Sequence, residues 1–142
     1  MDTFILCTKN KQLEEKINHL LGGAFRYRLI ASAAALQKKS RSDGPNVVLL
    51  DWQVCSSERK ASVFFSAFNL LPQPTLILLA DALPQIKQGL SVFLMKPNDL
   101  PDLKILLKYL LQTPTLPPQE ENGFIIYDKK MRSLIEELKV IR

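Results

Sequence analysis

Two stretches of this chain are apolar without a break: Val47-Val48-Leu49-Leu50, which runs into Asp51, and Leu76-Ile77-Leu78-Leu79. Short runs without alternation read as strands buried on both faces, the kind found in parallel sheets. Phe4-Ile5-Leu6-Cys7 and Val92-Phe93-Leu94-Met95 have the same character. Phe25 to Ile30 differs, because Arg26 and Arg28 alternate with Phe25, Tyr27 and Leu29. That alternation predicts an edge strand with one solvated face.

Between these strands the period changes. Leu13, Ile17, Leu20 and Leu21 recur at helical spacing behind Asn10, a residue suited to cap a helix, and Gly22-Gly23 ends the run. The alanine-rich stretch Ala31 to Leu36 predicts a helix to about Ser40, followed by a polar turn from Arg41 to Pro45. Trp52 to Ser57 reads as a loop in which Ser56 or Ser57 caps the next helix. Val63, Phe64, Ala67, Phe68 and Leu71 form that helix's apolar face, and Pro72 and Pro74 end it. Asp81 to Gln88 is short, weakly helical and closed by Gly89. Asp99 to Gln112 predicts a strongly apolar helix that buries Leu100, Leu103, Leu106, Leu107, Leu110 and Leu111, with Pro101 tolerated in the first turn. Strand and helix thus alternate five times, which predicts an α/β fold with a parallel sheet wrapped on both faces.

At 142 residues the chain has room for one domain with a short appendage. We expect that domain at 1–112, a linker at 113–127 and an amphipathic helix at 128–142. The linker assignment rests on Thr113-Pro114-Thr115-Leu116-Pro117-Pro118 and the polar residues that follow, with Gly123 to Tyr127 as a short apolar piece. Behind Asp128, a good helix cap, Met131, Leu134, Ile135, Leu138 and Ile141 fall at helical spacing. Such a helix needs something to pack against.

Composition narrows the function. No apolar run approaches the roughly 20 residues that cross a bilayer, and a secretory leader's basic start and cleavage site are missing. The expectation is a cytoplasmic protein with no membrane partner. The formal charge is +5, yet the basic residues fall in separate groups: Lys38, Lys39 and Arg41; Arg59 and Lys60; Lys129, Lys130 and Arg132. Solvated helix faces explain them better than a nucleic-acid surface. Two cysteines, Cys7 and Cys55, show no metal spacing, and His19 is the single histidine, so His-based catalysis has almost nothing to work with.

Asp51 at the end of a buried strand, followed by Phe93-Leu94-Met95-Lys96-Pro97, resembles the receiver domain of two-component response regulators. Ala35-Leu36, Gln88-Gly89-Leu90 and the Asp99-Leu100 opening add to the likeness, which covers residues 3 to about 112. The resemblance implies a flavodoxin-like, doubly wound five-stranded parallel sheet in the order 2-1-3-4-5. It also implies that Asp51 stands at the phosphoacceptor position, with Lys96 as the site lysine.

The departures point away from phosphate chemistry. Working receivers hold Mg²⁺ on a pair of acidic residues after the first strand, and those positions read Thr8 and Lys9 here. One carboxylate with a hydroxyl is a poor ligand set for Mg²⁺, and a lysine repels it. The family's switch hydroxyl falls on Leu79 or Ala80, and the loop after Asp51 reads Trp52-Gln53-Val54. The expectation is a degenerate receiver without cofactor, metal or catalytic activity, in which either Lys9 and Lys96 both approach Asp51 and the Lys9 ammonium replaces the metal's charge, or Lys9 points to solvent and Asp51 pairs with Lys96 alone. Two alternatives stand beside it: a phosphorylatable receiver with an atypical metal site at Asp51, and, more weakly, a small α/β enzyme or nucleotide-binding fold.

Ile125 to Arg132 followed by Leu134-Ile135 is loosely similar to the opening of the AAA+ domain in NtrC-type, sigma-54-dependent activators. That likeness implies the regulatory front end of a transcription factor in a signalling relay. Its partners are then a second copy, as a homodimer, or ATPase and DNA-binding domains farther along the same polypeptide. The family's pairing face falls here on Leu83, Ile86, Val92, Lys104 and Lys108.

Overall fold

A computed structural model describes residues 3–32, 35–36, 38, 46–55, 58–70, 74–81, 92–112, 120–121, 124–127 and 132–133. Five strands build a parallel core: β1 (Thr3–Cys7), β2 (Arg26–Ile30), β3 (Asn46–Asp51), β4 (Pro74–Leu79) and β5 (Val92–Met95). Their order is β2-β1-β3-β4-β5, with every neighbouring pair parallel. This is the flavodoxin-like order that the resemblance implied. Pro74 opens β4, a position where the missing N–H disturbs the ladder least.

Alternate residues of each strand face opposite layers. Phe4, Leu6, Val47, Leu49, Ile77, Leu79, Phe93 and Met95 form one core with helices α1 (Lys11–Leu21) and α4 (Leu103–Gln112), through Ile17, Leu21, Leu103, Leu106 and Leu107. Ile5, Cys7, Val48, Leu50, Leu76, Leu78, Val92 and Leu94 form the other, with Leu36 and with helix α3 (Glu58–Asn69) through Phe64, Phe65 and Phe68. Both faces are covered, which is why the central strands need no polar positions. Val92 is completely buried, so it cannot stand on the pairing face assigned to it, whereas Lys104 and Lys108 are exposed. Leu83 and Ile86, with the helix expected over 81–88, fall on 82–91, outside the described residues.

Local signals set the ends of α1. The Asn10 side chain accepts from the N–H groups of Gln12 and Leu13, and Gly22 closes the helix in the left-handed conformation at φ 57°. The β2 edge is anchored to this helix by Tyr27, whose hydroxyl donates to Glu14 at 2.8 Å. Leu29 departs from the alternation: it is 44% exposed, because β2 is the outermost strand and only Ile30 at its end is buried.

Three segments differ from the sequence reading. Trp52–Cys55 is a helical turn, α2, rather than loop. The helix expected from Asp99 begins at Leu103, preceded by a 3-10 helix over Pro97–Asp102. Pro97 and Pro101 lack the N–H groups that continuous α-helical bonding needs, and the tighter turn accommodates them. Most consequentially, part of the expected linker joins the sheet. Strand β7 (Phe124–Ile126) pairs in parallel with β5, and β6 (Glu120–Glu121) pairs with β7 in antiparallel fashion. The sheet therefore has seven strands, because the outer edge of β5 offers unpaired backbone groups that a short apolar segment can satisfy. The amphipathic helix at 128–142 falls mostly outside the described residues, with 132–133 helical.

Leu106 has no solvent exposure. Leu106→Ala is expected to cost about 2–5 kcal/mol, read as a lower urea midpoint at unchanged slope. Gly22→Ala meets no neighbouring atom within 4 Å, so its expected cost is the left-handed backbone alone, about 1–2 kcal/mol.

Candidate functional site

The carboxyl ends of β1, β3, β4 and β5 meet at one edge of the sheet, where open α/β sheets place their ligands. A cavity of about 180 Å³ lies there, lined by Asn10, Asp51, Gln53, Leu79, Ala80 and Asp81 among others. Asp51 closes β3 in register with Leu79 of β4 and is 6% exposed. Thr8, just beyond β1, is 3% exposed. Leu79 and Ala80, the alternatives that the resemblance offered for a switch position, are buried in the cavity wall. The Ala80 N–H donates to the Met95 carbonyl, tying β4 to β5 beside the cavity.

A buried carboxylate must be solvated by the protein or it costs several kcal/mol. Here the Thr8 hydroxyl donates to Asp51 Oδ2 at 2.9 Å, and the Gln53 N–H donates to Oδ1 at 3.2 Å. The network runs farther back. Thr8 Oγ1 accepts from the Asn10 N–H at 3.1 Å, and the Thr8 N–H donates to the Ile30 carbonyl of β2 at 3.2 Å. Asn10 in turn caps α1. One chain of hydrogen bonds thus links β2, β1, the start of α1, β3 and the start of α2. Among the described residues no buried side-chain polar atom lacks a partner.

The lysines stand elsewhere. Lys9 and Lys96 are both exposed, and neither forms an ion pair with Asp51. The expectation that the Lys9 ammonium replaces the metal is therefore corrected. A long, strongly hydrated side chain gains little from entering a buried edge where a compact hydroxyl already satisfies the carboxylate. Neither lysine lines the cavity, whose titratable lining residues are Asp51 and Asp81. Among the described residues no group of three or more His, Cys, Asp or Glu side chains is placed to hold a metal ion. Nor is any described helix long and apolar enough to cross a membrane. Cys7 is a buried core residue, and His19 is exposed in the last turn of α1, at the opposite end from Asn10. The Cys55 side chain falls outside the described residues.

A second polar corner went unread in the sequence. Tyr127 is 2% exposed, its hydroxyl donates to Asp102 Oδ2 at 3.1 Å, and its N–H donates to the Leu94 carbonyl at 2.9 Å. Asp102 also pairs with Arg132 at 3.3 Å. Burial first, and then the Asp102 carboxylate, push the Tyr127 phenol far above its ordinary range, so it stays a neutral donor. The signal available was an aromatic closing an apolar run, Phe124 to Ile126, too short to stand out as a strand.

Replacing the donor tests the solvation of Asp51. Thr8→Val keeps the shape and leaves Oδ2 short of a bond, with an expected loss of about 1–3 kcal/mol in chemical denaturation. In an Asp51→Leu background the same change is expected to cost far less, giving a coupling of about 0.5–3 kcal/mol in the double-mutant cycle. No family model, curated protein or solved structure matches this chain.

Proposed function

We propose that this chain is a non-catalytic regulatory domain of the receiver type: it keeps the phosphoacceptor position and acts through protein–protein contacts. The observation that carries this reading is the hydrogen bond from Thr8 to the buried Asp51 carboxylate. The oxygen that a receiver turns toward its metal is here satisfied by the protein itself.

Charge supports the same conclusion. A phosphoryl group adds roughly 1.5 to 2 negative charges, and its transfer depends on neutralising charge that develops on the oxygens. The described lining of the cavity offers a second carboxylate, Asp81, and no basic side chain. The family's Mg²⁺ ligands are missing, because Thr8 and Lys9 bring no carboxylate, and each Asp51 oxygen accepts a hydrogen bond from the protein. With the Thr8–Asp51 link permanent, the edge of the sheet holds one conformation, and control passes to whatever binds the domain's surface. In this reading the partner is a second copy, or the ATPase and DNA-binding modules of a sigma-54-type activator that the C-terminal segment resembles. Exposed Lys104 and Lys108 on α4 belong to the contact face.

Acetyl phosphate with Mg²⁺ tests the reading by intact mass. The native chain and Asp51→Asn are both expected to stay unmodified. A phosphate adduct on the native chain, absent from Asp51→Asn, would overturn the proposal in favour of an active receiver with an atypical metal site.

A further inference from the structure

We propose that strand β7 is exchangeable, and that the outer edge of β5 is an acceptor for the same strand of a second copy of this chain. The inference concerns the edge of the sheet remote from the Thr8–Asp51 pair, and it stands whether or not Asp51 takes phosphate.

The attachment of this segment is unlike that of the other strands. β1, β3, β4 and β5 contribute buried side chains to the cores on both faces, whereas among the described residues β7 is joined to the body of the domain by one ladder and one anchor. The ladder is the parallel register Val92–Phe124, Phe93–Ile125 and Leu94–Ile126, continued by the bond from the Tyr127 N–H to the Leu94 carbonyl. The anchor is Tyr127, which enters the core shared with Leu103, Leu106 and Leu107 and donates its hydroxyl to Asp102. Arg132 closes the corner on the other Asp102 oxygen. Each of these contacts joins the C-terminal segment to the body of the domain. A segment from a second copy therefore repeats them all without any new complementary surface, which is the condition for exchange between copies.

For these contacts, what favours the closed form is the tether. Residues 113–119 join α4 to β6, and three of these seven are proline: Pro114, Pro117 and Pro118. A short flexible tether supplies an effective concentration in the millimolar range, and proline stiffens a chain and lowers that advantage when its length does not match the span. Dilute protein is accordingly closed, and a strand supplied in trans at millimolar concentration competes. The pairing mode is strand addition: main-chain bonds hold the segment, and Tyr127 and Arg132, both on Asp102, add selectivity.

A labelled peptide spanning residues 120–133 and the full-length chain test this directly. Substitutions are confined to the tethered segment, so the acceptor edge stays native. Fluorescence anisotropy is expected to show weak binding to the native chain, because its own strand occupies β5. At least tenfold tighter binding is expected to Tyr127→Ala, and an intermediate affinity to Tyr127→Phe, which keeps the ring and loses the bond to Asp102. If Tyr127→Ala does not fold, Tyr127→Phe carries the comparison alone. Equal affinity for the native and substituted chains, or equal binding of a scrambled peptide, overturns the proposal.

Discussion

The edge of this sheet is organised by the need to solvate one buried carboxylate. Asp51 ends a buried strand, and its charge is met by a hydroxyl from just beyond the neighbouring strand and an N–H from the turn that follows. Hydrogen bonds to an ionised acceptor are among the stronger ones in proteins. Thr8 matters beyond that single bond, since it also binds the Asn10 N–H and the carbonyl of Ile30. The placement of α1, the spacing of β1 and β3 and the start of α2 all refer to it. A site built this way is a clamp.

The same economy of backbone pairing governs the far side of the sheet. A parallel sheet with five strands has two open edges, and each is managed differently here. On β2, charged side chains at Arg26 and Arg28 blunt the edge. On β5, the edge is covered by the chain's own C-terminal segment, fastened by a buried tyrosine. Covering an edge with a tethered strand removes an aggregation surface and creates a competition between that strand and any other of similar sequence. In the proposed exchange, such a competition gives the surface two states that binding can select.

Most of the architecture was legible in the chain. Unbroken apolar runs at residues 47–50 and 76–79 marked strands buried on two faces, and helical spacing at Leu13, Ile17 and Leu21 marked the layer above them. Asn10 and Gly22 marked the ends of α1. These features are local, and burial of both faces leaves no ambiguity in the pattern. The site was half legible: Asp51 was picked out as a carboxylate at a buried strand end, and Thr8 as a hydroxyl beyond the first strand. Their bond was not, because a 43-residue separation is closed only by the register of β1 on β3. Lys9 was misjudged because charge complementarity in a sequence carries no information on where a flexible side chain gains most from water.

The C-terminal segment shows the limit most clearly. Composition marked residues 113–127 as linker, since proline and polar residues outnumber the apolar positions, and nothing local distinguishes a three-residue strand from coil. What made Phe124–Ile126 a strand was the unsatisfied edge of β5, roughly thirty residues earlier in the chain. The sequence by itself determined which segments are buried, and hence the doubly covered parallel sheet, because burial follows from side-chain chemistry. Only the tertiary structure decided what partners Asp51 and where the sheet ends, because backbone and side-chain hydrogen bonds are claimed by whichever groups the packing brings within reach.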